Sequence, residues 1–331
     1  MENTEKNAPR RSLASLVAIF SRKGALILFS LVAAAFLIDG MGVTALREFP
    51  VDFGPATYRA IDSSIDWMVV EFAWFFDGIS NYIKVWLGAL RNFFNWIPWP
   101  IVIIGMFYAG WKLTDIKVSS VAGFALLMLG LFDLWESAMV TIAIMTVAVS
   151  LSVGLGVPLG IMASRSNVVQ AILRPMLDTM QTMPSFVYLV PGIMFFGLGN
   201  VAAVLAVVLY SIPPCIRLTN LGIRQVDASV IEAGRAFGST RFQLLTKVQI
   251  PLAIPTIMAG INQTVLMALA MSTIAAMVGA GGLGMDVLRS MGQLREGEAF
   301  ISGAGIVILA MIFDRFTQGY ISKRQQSYKE R

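Results

Sequence analysis

The sequence contains no histidine and only one cysteine, Cys215, which lies inside an apolar run. Zinc, haem and iron–sulfur sites depend largely on these two residue types, so no such site is expected. Cys215 is expected to be a small buried hydrophobic residue. The sequence also lacks the G-x-x-x-x-G-K-[ST] motif that cradles nucleotide phosphates. The glycine-rich run 279–284 contains no lysine and follows an expected helix, so it is interpreted as a flexible external turn.

Charge is scarce throughout the chain. Only 14% of the 331 residues are charged and 56% are hydrophobic, whereas soluble domains average roughly 25% and 45–50%. The mean hydropathy of +0.72 is too high for a water-soluble protein of this size. A bilayer offers the backbone no hydrogen-bonding partner, so spanning segments form helices or closed barrels. Apolar runs of about 14–27 residues favour helices, and the sequence therefore predicts an all-α polytopic membrane protein.

Apolar runs interrupted by charge, proline or glycine predict eight membrane spans. These are residues 24–38, 98–111, 118–132, 137–163, 179–199, 201–216, 252–278 and 301–318. With the N-terminus inside, cytoplasmic segments carry 19 basic and 8 acidic residues, and external segments carry 6 and 12. The positive-inside rule therefore places both termini in the cytoplasm. It also explains the net charge of +5 without nucleic acid as a partner.

Two segments near the N-terminus have alternative interpretations. Basic residues before the run 24–38 are compatible with a first span or with a cleaved signal peptide. The stretch 61–99 is rich in aromatic residues and has charges every few positions. This composition favours amphipathic helices in the outer membrane interface. The alternative is an aromatic cage for a cationic ligand.

The longest cytoplasmic connection, residues 217–251, contains signals for a helix of its own. Asp227 is a suitable N-cap, because its short side chain can accept a hydrogen bond from the first free N–H groups. The helix is expected over about 228–236, and Gly238 supplies a C-terminal stop. A solvated loop would explain the basic residues of the connection but not this capped helix.

A second short helix is predicted directly after the first. Thr240 and Gln243 have the spacing of a capping box, and this helix is expected to continue to about Val248. Pro251 is expected to end it and to begin the next span. Four apolar residues of the resulting helix–turn–helix are expected to face water: Ile231, Phe237, Phe242 and Leu245. An exposed apolar patch of this kind indicates a partner surface.

The same helix–turn–helix resembles the signature of ABC importer permeases. Glu232-Ala233-Gly234, Gly238 and Val248-Gln249-Ile250-Pro251 match its spacing of E-A-A, three residues, G, nine residues and I-x-L-P. Gly234 replaces the second alanine, Val248 the isoleucine and Ile250 the leucine. The resemblance implies a type I importer permease bundle whose coupling helix docks on an ATPase subunit. The implied docking residues are Glu232, Ala233, Gly234, Arg235, Phe237, Gly238 and Pro251.

Residues 177–191, 257–264 and 281–284 are similar to the glycine betaine, proline betaine and choline branch of that family. The resemblance implies import of quaternary-ammonium or betaine-type solutes, trimethylamine oxide included, across a bacterial inner membrane. The implied partners are two ATPase subunits that bind ATP and Mg, a second copy of this chain, a periplasmic solute-binding protein and membrane lipid. No cofactor is expected in the chain itself. The expected domains are an N-terminal segment 1–97, a permease domain 98–318 and a tail 319–331.

Polar residues within predicted spans are candidates for the translocation pathway. Asp178, Gln181, Ser185 and Tyr188 would share one helical face, but Pro184 and Pro191 interrupt that segment. A polar, broken segment is tolerated in a membrane only beside protein or a water-filled cavity. A second set, Asn262 and Thr273, is equally compatible with the pathway and with hydrogen bonding between helices.

Two other classes of function are weighed against the permease. An ion-coupled secondary transporter predicts inverted repeats and an acidic or basic residue deep within a span. No such repeat is seen, and the only charged residues within the predicted spans, Asp314 and Arg315, lie near the cytoplasmic end of 301–318. A membrane-embedded enzyme requires a clustered nucleophile and base or metal ligands. The sequence without histidine offers no such cluster, so the chain is expected to be a non-catalytic subunit.

Overall fold

The computed structural model describes residues 27, 29–34 and 52–329, which are almost entirely helical. Internal contacts divide the chain into two units, residues 1–66 and 67–331. The first unit contains the helical residues 27 and 29–34 and most of the helix Gly54–Glu71. The second unit contains the remaining helices and the apolar core.

From residue 52 onward the described chain forms thirteen α-helices. They are α1 (Gly54–Glu71), α2 (Ala73–Trp96), α3 (Trp99–Leu113), α4 (Ile116–Leu131), α5 (Trp135–Arg165), α6 (Asn167–Thr182), α7 (Leu189–Phe196), α8 (Asn200–Arg224), α9 (Ala228–Ala236), α10 (Arg241–Leu244), α11 (Ile250–Ala275), α12 (Leu283–Gly292) and α13 (Glu296–Lys329). Ser185–Tyr188 and Ala276–Val278 are short 3-10 segments, and Leu245–Gln249 forms a π-helical turn.

Four helical stretches among the described residues are long and apolar enough to cross a membrane. They are Trp135–Arg165, Asn200–Arg224, Arg241–Val278 and Glu296–Tyr320. These correspond to the predicted spans 137–163, 201–216, 252–278 and 301–318. Helices α2 and α3 meet at a bend of 101° and together satisfy the same test as a fifth, broken span.

The other predicted spans have different outcomes. The stretches 98–111 and 118–132 form α3 and α4, which are short, with only 15 and 16 residues. The predicted span 24–38 lies outside the described residues except at 27 and 29–34, which are helical.

The predicted span 179–199 is not one helix, because it is interrupted at Pro184 as its prolines predict. Helix α6 ends at Thr182, the 3-10 segment follows Pro184, and the eight-residue α7 ends before Gly197. The cause is Pro184, which forces Met183 into an extended conformation with φ −68° and ψ 137°. The chain here is therefore two short helical pieces rather than a continuous membrane helix.

Helix α8 forms the centre of the second unit and packs most extensively against α11 and α5. Cys215 on α8 is fully buried, as predicted. A Cβ added to Gly160 on α5 would lie 2.8 Å from the carbonyl oxygen of Ile216, so glycine permits this close approach. Ser152 and Ser211 form a buried hydrogen bond of 3.1 Å between the same two helices.

Helix α2 belongs to the aromatic stretch and also packs on the bundle. Its Ile83 and Leu87 are buried, and the helix contacts α5, α7 and α8. The Phe76 ring stacks on Phe195 of α7 with centroids 4.9 Å apart. Other rings, such as that of Trp74, are exposed. Their role as interfacial anchors stays a prediction.

Candidate functional site

The hairpin formed by residues 227–250 begins with helix α9, as the sequence predicts. The Asp227 carboxylate accepts a hydrogen bond of 2.8 Å from the backbone N–H of Ser229. This backbone hydrogen bond, with a further one from the Ser229 side chain, lowers the pKa of Asp227. The charged form therefore caps α9 near neutral pH.

Gly238 ends helix α9 through backbone geometry. Its φ is +77°, a left-handed conformation that costs other residues free energy. The N–H of Gly238 donates to Arg235 at 2.9 Å, and the N–H of Ser239 donates to Gly234 at 3.1 Å. These two bonds form a Schellman motif, which satisfies the last carbonyls of the helix. No neighbouring atom lies within 4 Å of a Cβ built at Gly238, so glycine is needed here for conformation rather than space.

The capping box of the second helix is present as predicted. Thr240 Oγ1 accepts from the Gln243 N–H at 3.2 Å, and the Thr240 N–H donates to Gln243 Oε1 at 2.9 Å. The predicted end of this helix at Pro251 is wrong. A π-helical turn joins α10 directly to α11, and helix is continuous over Arg241–Val278. Pro251 has no backbone N–H to donate, but it lies at the start of α11, directly after the π turn, so the helix continues through it.

The two arms of the hairpin pack on each other at Gly234. A Cβ at this position would lie 2.7 Å from Leu244 Cδ1, and Leu244 is buried. Leu244 of the same chain therefore occupies the space beside Gly234, and contact of Gly234 with a partner stays a prediction. Leu244 was not identified from the sequence, because no residue next to it in the sequence indicates that it faces Gly234.

The base of the hairpin is fixed to the bundle. Ile223, Ala253 and Ile257 form a buried cluster on which Leu245 packs. The predicted 35-residue connection is shorter than expected, because α8 continues to Arg224 and α11 begins at Ile250.

Two arginine side chains also hold the hairpin to the bundle by hydrogen bonds, and the sequence did not indicate this role. Arg224 Nη2 donates to the Ala163 carbonyl and to Asn167 Oδ1, both at 2.9 Å. Arg165 Nη1 donates to the Arg241 carbonyl at 3.3 Å. These bonds connect the hairpin and the end of α8 to the junction between α5 and α6.

The tip of the hairpin presents apolar rings to solvent. Phe237 is 92% exposed and Phe242 is 73% exposed. The same exposure was predicted for Ile231 and Leu245, but both are half-buried, and Leu245 packs on the buried cluster at the base of the hairpin. Glu232, Ala233, Arg235 and Gly238 are exposed around the rings, whereas Gly234 and Pro251 are half-buried. The exposed face is suited to bind another protein.

The first set of pathway candidates lies on two pieces of chain. Asp178 and Gln181 are exposed on α6, and Ser185 begins the following 3-10 segment. Tyr188 is buried, and its hydroxyl donates to the Met180 carbonyl. The interruption predicted at Pro184 is therefore present, whereas Pro191 lies within α7. Asp178 and Gln181 remain together on the exposed side of α6.

The second set lies on α11. Asn262 Nδ2 donates to Asp314 Oδ1 of α13 at 2.9 Å, and this bond connects the two helices. The Asn262 Oδ1 atom is buried without a hydrogen-bond partner among the described residues. Thr273 is half-buried near the far end of α11. The structure thus brings Asn262 to the α11–α13 contact and leaves Thr273 well separated along the helix.

The glycine run 279–284 is a tightly packed turn, so the predicted flexibility is wrong. Ala280 and Leu283 are almost fully buried. The Leu283 N–H donates to Thr141 Oγ1 of α5 at 2.9 Å. Gly282 has φ +93°, and a Cβ there would collide with the Thr141 side chain. Close packing against α5 therefore explains the glycines.

Comparisons with known proteins agree with this architecture. Residues 156–326, which include the whole hairpin, match the family described as binding-protein-dependent transport system inner membrane component. The chain is 45% identical over 258 residues to the glycine betaine/proline betaine transport system permease protein ProW of Escherichia coli (strain K12), covering 78% of this chain and 73% of that protein. It is 42% identical over 265 residues to the glycine betaine transport system permease protein OpuAB of Bacillus subtilis (strain 168), covering 80% and 94%.

A solved structure shares the fold. A chain of the inward-facing MetNI methionine ABC transporter matches with a TM-score of 0.52 at 22% identity, covering 58% of this chain and 95% of that chain. This likeness supports the type I importer permease bundle predicted from the sequence. The family match and the relatives together show that this multi-pass protein belongs to the binding-protein-dependent transport system inner membrane components, the permeases of ABC importers.

Proposed function

We propose that this chain is the permease subunit of an ATP-driven importer for betaine-type quaternary-ammonium solutes. Candidate solutes are glycine betaine, proline betaine, choline and trimethylamine oxide. The substrate class rests on the solutes named for the two relatives, ProW and OpuAB, which are identical to this chain at more than two fifths of the aligned residues. The direction of transport is into the cytoplasm, with both termini on that side by the positive-inside rule.

The hairpin is proposed to dock on a separate ATPase subunit that binds ATP and Mg. The observation that carries this proposal is the exposure of the Phe237 and Phe242 rings. The helices beside them begin with the Asp227 cap and the Thr240–Gln243 capping box. Aromatic residues commonly supply much of the binding energy at protein interfaces. Glu232, Ala233, Arg235 and Gly238 surround the rings, while Gly234 and Pro251 support the hairpin from within.

Two copies of this chain and two ATPase subunits are proposed to form the transporter. Closure of the ATPase pair on ATP would draw the two hairpins together and open the spans to the outside. A periplasmic solute-binding protein would then deliver the solute. Asp178, Gln181, Ser185, Tyr188, Asn262 and Thr273 are the proposed pathway residues, with Asp178 and Gln181 the most accessible.

The docking proposal is tested with Phe237→Ala in the full-length chain in nanodiscs. The affinity for the ATPase is expected to fall about 30-fold, because a central aromatic anchor contributes roughly 2 kcal/mol or more. Phe300→Ala is the matched control, since Phe300 is also exposed, at 77%, but lies on α13 outside the hairpin. Equal affinity of the Phe237→Ala variant and the unaltered chain would remove the docking role.

Transport itself is tested in proteoliposomes containing the purified subunits. Uptake of radiolabelled glycine betaine is expected only with ATP, the ATPase and the solute-binding protein all present. Uptake by this chain alone in response to an ion gradient would instead identify a secondary transporter.

A further inference from the structure

A groove between α4 and α13 combines an apolar floor with two cationic side chains. Its volume is about 360 Å³. Val121 and Ala125 line it from α4, and Ile308 and Met311 line it from α13. Val121 is 68% exposed and Met311 is 55% exposed, so the groove opens to the outside of the bundle. In a chain that spans a membrane, such an apolar opening faces lipid.

The two cations lie at the same end of the groove. Lys117 is in the first turn of α4, and Arg315 lies one turn beyond Met311 on α13. Within the described part of the chain, neither side chain has an ion-pair or hydrogen-bond partner. Lysine and arginine can therefore both reach an external anion at this end.

The charges around this end of the groove are mainly positive. Lys323, two turns beyond Arg315 on α13, donates a hydrogen bond to the backbone carbonyl of Lys112, so a further positive charge lies beyond this end of the groove. Asp115 is the nearest acidic residue along α4, and one of its oxygens already accepts the Ile116 N–H at 2.7 Å. Asp314 is bound to side chains of α11 and α13. The positive-inside rule assigns this end to the cytoplasmic leaflet.

We propose that this groove binds an anionic phospholipid of the inner leaflet. The apolar floor receives an acyl chain, and Lys117 and Arg315 bind the phosphate of the headgroup. Basic pockets between membrane helices on the cytoplasmic side are suited to acidic headgroups. A free anion would need the cations but not the apolar floor, and an uncharged lipid would need the floor but not the cations. The proposal does not depend on the solute or on ATPase docking, because it requires only that the chain spans a membrane.

The test measures phospholipid bound to the full-length chain in nanodiscs of phosphatidylglycerol and phosphatidylcholine. Native mass spectrometry is expected to show preferential retention of phosphatidylglycerol by the unaltered chain. Lys117→Gln with Arg315→Gln is expected to reduce that retention about 25-fold, or about fivefold for each charge removed. Ala125→Trp fills the apolar floor and is expected to reduce retention while both cations remain. Val121→Trp, at the exposed rim of the groove, is the second variant: it is also expected to reduce lipid retention, and it replaces Ala125→Trp where that variant does not fold.

The control is Lys84→Gln with Arg174→Gln, which removes the same charge from exposed positions away from the groove. Unchanged retention in the groove double variant, or an equal loss in this control, would overturn the site. Displacement of the lipid by inorganic phosphate, with no effect of either tryptophan, would identify a simple anion site instead. Cross-linking of cysteines placed at position 121 in two copies would identify a second copy of this chain as the occupant, and would also overturn the proposal.

Discussion

The guanidinium of Arg217 on α8 donates a hydrogen bond to the carboxylate of Asp178 on α6. The two side chains retain 38% and 54% exposure, so water screens the pair. An exposed ion pair contributes about 0–1 kcal/mol to stability. Replacing either residue should therefore leave the fold intact, and any change in transport reports on the pathway.

Asp178→Asn is expected to raise the KM for glycine betaine about tenfold, because a carboxylate that contacts the cationic solute contributes about 1.4 kcal/mol or more. Arg217→Gln frees the carboxylate and should leave KM unchanged or lower it. Uptake in proteoliposomes measures both variants, with Asp62→Asn as an exposed control outside the pathway. Equal, small effects of the Asp178 and Arg217 variants would indicate a purely structural pair.

Gly238→Ala is expected to weaken ATPase docking without affecting membrane insertion. The left-handed backbone at this position costs a non-glycine residue roughly 1–2 kcal/mol, and the strain disturbs the end of α9. Gly238→Asn should be milder, because asparagine tolerates this conformation better. Co-purification of the ATPase provides the measurement. Gly292→Ala is the control, since no atom lies within 4 Å of a Cβ there and its φ is not positive.

The contact between Gly234 and Leu244 can be tested by a double-mutant cycle. Gly234→Ala is expected to be tolerated, because the end of the Leu244 side chain can move away. Gly234→Leu should separate the two arms and lower ATPase affinity. Adding Leu244→Ala to Gly234→Leu should restore part of the affinity, since it vacates the space that the new side chain needs. Strict additivity of the two losses would show that the residues do not pack on each other.

Gly282→Ala is expected to destabilise the protein, because it combines a positive φ with a collision against α5. The backbone strain alone is about 1–3 kcal/mol, and the Ser137 carbonyl lies 3.0 Å from the added Cβ. Thermal unfolding in detergent should show a lower midpoint than for the unaltered chain. Gly303→Ala, at a helical position with open space around it, should leave the midpoint unchanged or raise it.

The hairpin was largely predictable because its signals are local. The Asp227 cap, the Gly238 stop and the Thr240–Gln243 box each act within five residues, and all three are present. The error at Pro251 has a different origin. Proline normally ends a helix, but the preceding π turn redistributes the backbone hydrogen bonds and allows the helix to continue.

Long-range contacts account for the features that the sequence did not reveal. Leu244 opposite Gly234 and Arg217 beside Asp178 depend on how helices pack, and spacing along one helix does not report this. The buried face of α2 is another example. Its Ile83 and Leu87 pack on the bundle, although aromatic composition alone suggested only an interfacial helix.

The unbroken helix from Arg241 to Val278 joins the hairpin to a membrane span in one piece of 38 residues. At 1.5 Å per residue it is about 57 Å long. Under the proposed docking, this helix would act as a lever: a tilt of about 10° imposed at the hairpin would displace the opposite end by roughly 10 Å. That opposite end leads straight into the glycine turn packed on α5, so under the same proposal a tilt of the hairpin would be passed along one helix to that turn.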